Sequence, residues 1–113
     1  MKKIVAATLL ACNLCLSSAF GMTDQTHDLI QKVFRLRSKG NVNGCLRICE
    51  DFISNPYIPY AEKVHMIIVM SNIHWQLDDS FGMEMDYQLL KQIALIDSDA
   101  RFVLHTEYEI DFN

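Results

Sequence analysis

Residues 59–77, PYAEKVHMIIVMSNIHWQL, are the most apolar run of the chain outside its N-terminus. Val64, Ile67, Ile68, Val69, Met70, Ile73 and Leu77 cover more than one face of a 3.6-residue spiral, which predicts one long helix enclosed on two sides. Glu62, Lys63, Ser71 and Asn72 are left as the outward positions. Pro59 suits the first turn, where its missing N–H would have no intrahelical partner. Such a helix must be sandwiched, so the flanking sequence has to supply the cover.

Upstream, Leu29, Ile30, Val33, Phe34 and Leu36 recur at three- and four-residue spacing and predict an amphipathic helix over 24–38. Asp24 and Asp28 near its start and Arg35, Arg37 and Lys39 near its end suit the helix dipole, and Gly40 supplies a left-handed stop. After the tight connection Asn41-Val42-Asn43-Gly44, a second stripe runs through Cys45, Leu46, Ile48, Cys49, Phe52 and Ile53 until Asn55-Pro56 ends it. The result is an antiparallel hairpin over 24–54.

Downstream, Asp78-Asp79-Ser80-Phe81-Gly82 reads as a turn, and Met85, Leu89, Leu90, Ile93, Ala94 and Ile96 as a fourth helix from about Glu84, completing a hairpin over 59–96. In residues 97–113, Phe102, Leu104, Tyr108, Ile110 and Phe112 alternate as a strand would, but a lone strand has no partner. A short capping helix from Ser98 to His105, followed by a loosely held acidic end, is expected instead. The fold class is therefore all-α: two stacked antiparallel helix hairpins and a C-terminal capping segment, in one domain over 22–113.

Residues 1–21 have the three parts of a secretory signal: Lys2 and Lys3, an apolar stretch over 4–16, and the small residues Ser17, Ala19 and Gly21 ahead of a cut near Phe20 or Met22. That apolar stretch is shorter than the ~20 residues a membrane span needs. Leu9-Leu10-Ala11-Cys12 also resembles a bacterial lipobox, which would place a lipid anchor on Cys12, though the apolar run ahead of it is very short. Export to a periplasm or to the outside is expected, the other reading being a true N-terminal helix of a cytosolic protein. The chain of 113 residues has a net charge of −4 with its cations scattered, so no nucleic-acid partner is expected.

Shifting the first hairpin by 41 residues aligns Phe34 with Trp75, Leu36 with Leu77, Leu46 with Tyr87, Ile48 with Leu89, Cys49 with Leu90 and Phe52 with Ile93. Lys39-Gly40-Asn41-Val42-Asn43-Gly44-Cys45-Leu46, with Phe52 and Pro56, resembles the turn and second helix of a tetratricopeptide repeat, with Cys45 at the small-residue crossing. The second unit departs from that pattern by its longer first helix and by Asp86 in the place of the small residue. The resemblance implies a protein-binding or scaffolding role without a cofactor. Repeats of this kind usually need about three neighbours, so either a homodimer or the C-terminal cap should complete the core.

Three sets of side chains are candidates for chemistry or binding. Cys45 and Cys49, four apart on one helix, are poorly placed for a mutual disulfide and read as small buried residues, with redox or metal work as the alternative. Met66, Met70 and His74 fall at four-residue steps beside His65, a donor set suited to copper(I), although methionine is first of all a core filler. Glu62 and His65 have the spacing of di-metal bundles, but that motif occurs once where two are needed. Tyr57, Tyr60, Trp75, Phe81 and Tyr87 flank the central helix; most are expected in the core, with Tyr57, Tyr60, Trp75 and Phe81 the candidates for an interface. No phosphate loop, zinc-protease helix or nucleophile elbow occurs. The leading expectation is an exported, non-enzymatic module that binds another protein, and the alternative is a small periplasmic protein handling copper.

Overall fold

The computed structural model describes residues 22–112, and within them five helices follow one another: α1 (Asp24–Ser38), α2 (Val42–Ser54), α3 (Tyr60–Gln76), α4 (Ser80–Ile96) and α5 (Ser98–Tyr108). The signal-like segment, its cut sites and Cys12 lie outside the described residues. The class is all-α: two helical hairpins, α1–α2 and α3–α4, with α5 laid against both α3 and α4. Among the described residues no helix is long and apolar enough to cross a membrane.

The ends of the helices follow from local chemistry. The Asn41 and Asp79 side chains each accept from the N–H three residues on, Gly44 and Gly82, both at 2.9 Å, capping the second helix of each hairpin. Asp79 thereby draws the predicted turn into the helix, so α4 starts at Ser80 rather than near Glu84. Thr23 caps α1 and Asp97 caps α5 in the same way. Gly40 at φ +81° leaves α1 through the left-handed region, and Asp78 at φ 57° does so for α3.

Every other helix packs on α3. Its residues Val64, Met66, Ile67, Ile68, Val69 and Ile73 are sealed against Ile30 and Val33 of α1, Cys45, Cys49 and Phe52 of α2, Leu90 and Ile93 of α4, and Val103 and Leu104 of α5. Cover from four helices rather than two overturns one expectation: Glu62, Lys63, Ser71 and Asn72 are buried, not outward. Glu62 is accommodated by hydroxyls, and the Lys63 ammonium lies 5.2 Å from the centre of the Tyr60 ring.

The tail also differs from expectation. α5 runs to Tyr108, Glu109 turns left-handed at φ 55°, and Ile110 N–H donates to the Leu104 carbonyl at 3.0 Å. Ile110 is buried and Phe112 meets Tyr87 edge-on at 5.2 Å between ring centres. The alternating apolar residues that look strand-like thus serve a helix and its packed C-terminal turn.

Candidate functional site

The connection between the hairpins, residues 55–59, stands as a ridge with a recess on each side. Asn55 Oδ1 accepts from Tyr57 N–H at 2.9 Å, a local turn that holds the ridge and leaves the Tyr57 ring 92% exposed. On one side lies a groove of about 660 Å³ between this ridge and α1; Leu29, Phe52 and Ile58 give it apolar lining, and on α1 Lys32 and Arg35 stand one turn apart with the Asp28 carboxylate one turn before Lys32. On the other side is a recess of about 410 Å³ bounded by Tyr60, Lys63, Asp97 and Asp99. Tyr57, Ile58 and Pro59 border both.

Glu62 closes the first groove at the start of α1. Its Oε1 accepts from Thr26 Oγ1 at 2.6 Å, Thr23 Oγ1 at 2.7 Å and Thr23 N–H at 3.2 Å. Burial pushes the carboxyl up, but the hydrogen bonds from Thr26 and Thr23, with His65 nearby, outweigh it and hold Glu62 below its ordinary value. The first turn of α1, one edge of the groove, is thereby fixed to α3.

The four aromatic interface candidates are all exposed at the surface, against the expectation that most would be core. These four lie at or beyond the two ends of α3, outside the core, whereas the rings of Phe52 and Tyr108 are buried in it. The four fall into two sets: Tyr57 and Tyr60 at the N-terminal end of α3, Trp75 and Phe81 around its C-terminal end, about 25 Å away along the helix. Tyr87 is half-buried against Phe112.

Cys45 and Cys49 are free thiols, both buried, and Cys45 Sγ–H donates to the Val33 carbonyl at 3.1 Å. Burial pushes both thiols up, Cys49 to about 12. Thiolate chemistry is thereby suppressed in the folded chain.

The soft-ligand stripe is divided among separate environments. Met66 is sealed in the core and Met70 nearly so, whereas His65 Nδ1 is hydrogen-bonded to the Tyr108 hydroxyl. His74 Nδ1–H donates to Asp86 Oδ2 at 2.6 Å, which leaves Nε2 as its ring donor toward any metal. Among the described residues no three His, Cys, Asp or Glu side chains converge as a metal cluster would. Ser71, one turn before His74, has a hydroxyl with no hydrogen-bond partner among the described residues, but at 1% exposure no substrate reaches it.

Asp86, which the 41-residue shift aligns with Cys45, is buried like that cysteine. Desolvation pushes its carboxyl up to about 6, opposed by the His74 hydrogen bond and charge and reinforced by Asp79. Its misfit to the repeat pattern is the sequence signal that marks it. Lys32, Arg35 and the Thr23–Thr26–Glu62 cluster carry no comparable signal, because an amphipathic helix ordinarily bears cations on its polar face and threonine at its cap.

Compared with protein-family models, with curated proteins and with solved structures, the chain matches none.

Proposed function

We propose that this chain is an exported, non-enzymatic, helical-repeat-like module that holds an extended segment of another protein in the groove beside Tyr57. The observation that carries the reading is Tyr57 itself: an almost fully exposed tyrosine, held by a local turn on the rim of a groove with apolar lining and, on α1, Lys32 and Arg35 beside Asp28. Solvent exposure of a large ring has a cost that a bound partner offsets, and tyrosine is a common anchor in interfaces. Lys32 and Arg35 favour a segment that sets a carboxylate beside an apolar side chain.

The repeat-like part of the proposal rests on burial recurring at the 41-residue shift in the second helix of each hairpin; in the first helices Phe34 and Leu36 are half-buried whereas Trp75 and Leu77 are exposed. Cys45 and Asp86, Cys49 and Leu90, Phe52 and Ile93 are buried pairs, while Leu46 and Tyr87, Ile48 and Leu89 are half-buried pairs. Stacked tetratricopeptide-like hairpins with α5 as the terminal cap fit this pattern. Export rests on the three-part character of residues 1–21.

A photo-crosslinking residue placed at Tyr57 in the source cell should capture one protein, and the same residue at Arg47, on exposed α2 surface away from the groove, should not. Replacing Lys32 and Arg35 by glutamate should abolish the capture. Equal capture at 57 and 47, or capture indifferent to the charge reversal, would overturn the reading.

A further inference from the structure

The outer face of α4 is an apolar stripe. Phe81, Met85, Gln88, Gln92, Leu95 and Ile96 fall within an arc of about 100° and run for about 22 Å along the helix. All six are exposed, Phe81 by 76%, Met85 by 56%, and Leu95 and Ile96 by 69% each. The arc contains no charged residue, in a chain of which 21% is charged. An aromatic, a methionine and aliphatics without charge have the composition of an interface core rather than of a solvated face.

We infer that this stripe is the contact between two copies of the chain, with the α4 helices antiparallel across a twofold axis. Self-complementarity is what a twofold interface demands of a single patch. The stripe has it: apolar groups stand at both ends, and the amides in the middle, Gln88 and Gln92, both donate and accept. The charges beside it select the direction. Glu84 and Lys91 lie one heptad apart on the same flank, and Glu84 already accepts from the Gln88 amide at 3.0 Å at the edge of the arc.

In an antiparallel pair, equivalent flanks face each other, so Glu84 of each copy meets Lys91 of the other, twice over. A parallel pair sends these flanks to opposite sides. The register set by that pairing brings Gln88 next to the twofold axis and Phe81 against Leu95 of the second copy. The exposed surface of the six side chains, on the order of 700 Å² per copy, is the most these residues can bury, against the ~800 Å² per partner of a standard stable interface. No residue lining the groove or the recess beside Tyr57 belongs to α4, so the dimer leaves both open and is bivalent whatever they bind.

Sedimentation equilibrium of the full chain should show a concentration-dependent dimer. Lys91→Glu should weaken it by about tenfold, since two attractions become two repulsions, and Glu84→Lys with Lys91→Glu in the same chain should restore it. With Cys12 and Cys15 replaced by serine, Gln88→Cys should form a disulfide-linked dimer under mild oxidation, whereas Arg47→Cys should not; circular dichroism confirms that each variant is folded. A monomer at several hundred micromolar overturns the proposal, as does a charge-swapped variant that stays monomeric or a dimer that Gln88→Cys cannot cross-link.

Discussion

His74 and Asp86 lock the α3–α4 hairpin together across its turn, with Nδ1 and Oδ2 2.6 Å apart and the carboxylate almost wholly removed from water. Because burial pushes Asp86 from 3.8 up to about 6 in the fold, the folded chain binds this proton more tightly than the unfolded chain. Its contribution is full below about pH 4 and is lost as pH rises through about 6. Asp86→Asn keeps an acceptor for His74 Nδ1–H without the buried charge. It should flatten the stability profile between pH 4 and 7, read from urea midpoints across that range. A profile unchanged by the substitution would show that Asp86 does not govern it.

Glu62 has the opposite sign. Its folded value lies below the ordinary 4.5, so its stabilisation is present above that pH and lost as pH falls through the folded value. Glu62→Ala removes the acceptor shared by Thr23 N–H, Thr23 Oγ1 and Thr26 Oγ1. The loss should be about 2 kcal/mol. Faster hydrogen exchange should be confined mainly to the first turn of α1, and a uniform acceleration over all five helices would refute the local role.

Periodicity made the helices legible because their buried faces repeat every three or four residues: Ile30 and Val33, Cys45 and Cys49, Leu90 and Ile93 are all core. It misjudged Glu62, Lys63, Ser71 and Asn72, because one sequence reports its own polarity and not the number of neighbours that surround a helix. The aromatics were misjudged for a related reason. Residues such as Tyr57 and Phe81 sit at helix ends, where hydrophobicity favours burial but position leaves nothing to bury them against. The His74–Asp86 pair joins positions on different helices that no local spacing connects; the sequence marks Asp86 only as a departure from the repeat pattern and gives no sign of its partner.

Asp78 adopts φ 57° between α3 and α4, a conformation that costs an L-residue roughly 1 kcal/mol and costs glycine almost nothing. Asp78→Gly should therefore raise stability, after the added chain entropy of glycine is subtracted, by about 0.5 kcal/mol. Gly82 in the same turn behaves oppositely. A Cβ there would lie 2.6 Å from Asp79 Oδ2 and 2.8 Å from the His74 ring, so Gly82→Ala should displace either the cap or the imidazole and destabilise the chain. Thermal melts of the two variants should move in opposite directions.

The thiols of Cys45 and Cys49 should be silent toward an aromatic disulfide reagent in the native protein and react fully in denaturant. Both are buried, and burial pushes the Cys49 thiol up to about 12, so almost no thiolate is present at neutral pH. Reaction in the folded state at the rate of a free cysteine would contradict this burial. Absence of reaction in denaturant would reveal a disulfide.

Tyr108 fastens the last helix to the centre of the molecule, its hydroxyl hydrogen-bonded to His65 Nδ1 and its ring edge-on to the imidazole at 5.5 Å between centres. His65 belongs to the enclosed part of α3, so this polar contact lies within the apolar core and fixes where α5 docks. Tyr108→Phe preserves the ring packing and deletes the hydroxyl, which should cost about 1–2 kcal/mol. Tyr108→Ala removes both and should free α5 from α3. Limited proteolysis separates the two effects: the phenylalanine variant should keep residues beyond Asp97 protected at neutral pH, and the alanine variant should be cut within α5 while α1 to α4 stay intact. Loss of the whole domain in the alanine variant would mean that the two hairpins do not hold without the apolar cover that Val103 and Leu104 of α5 give α3.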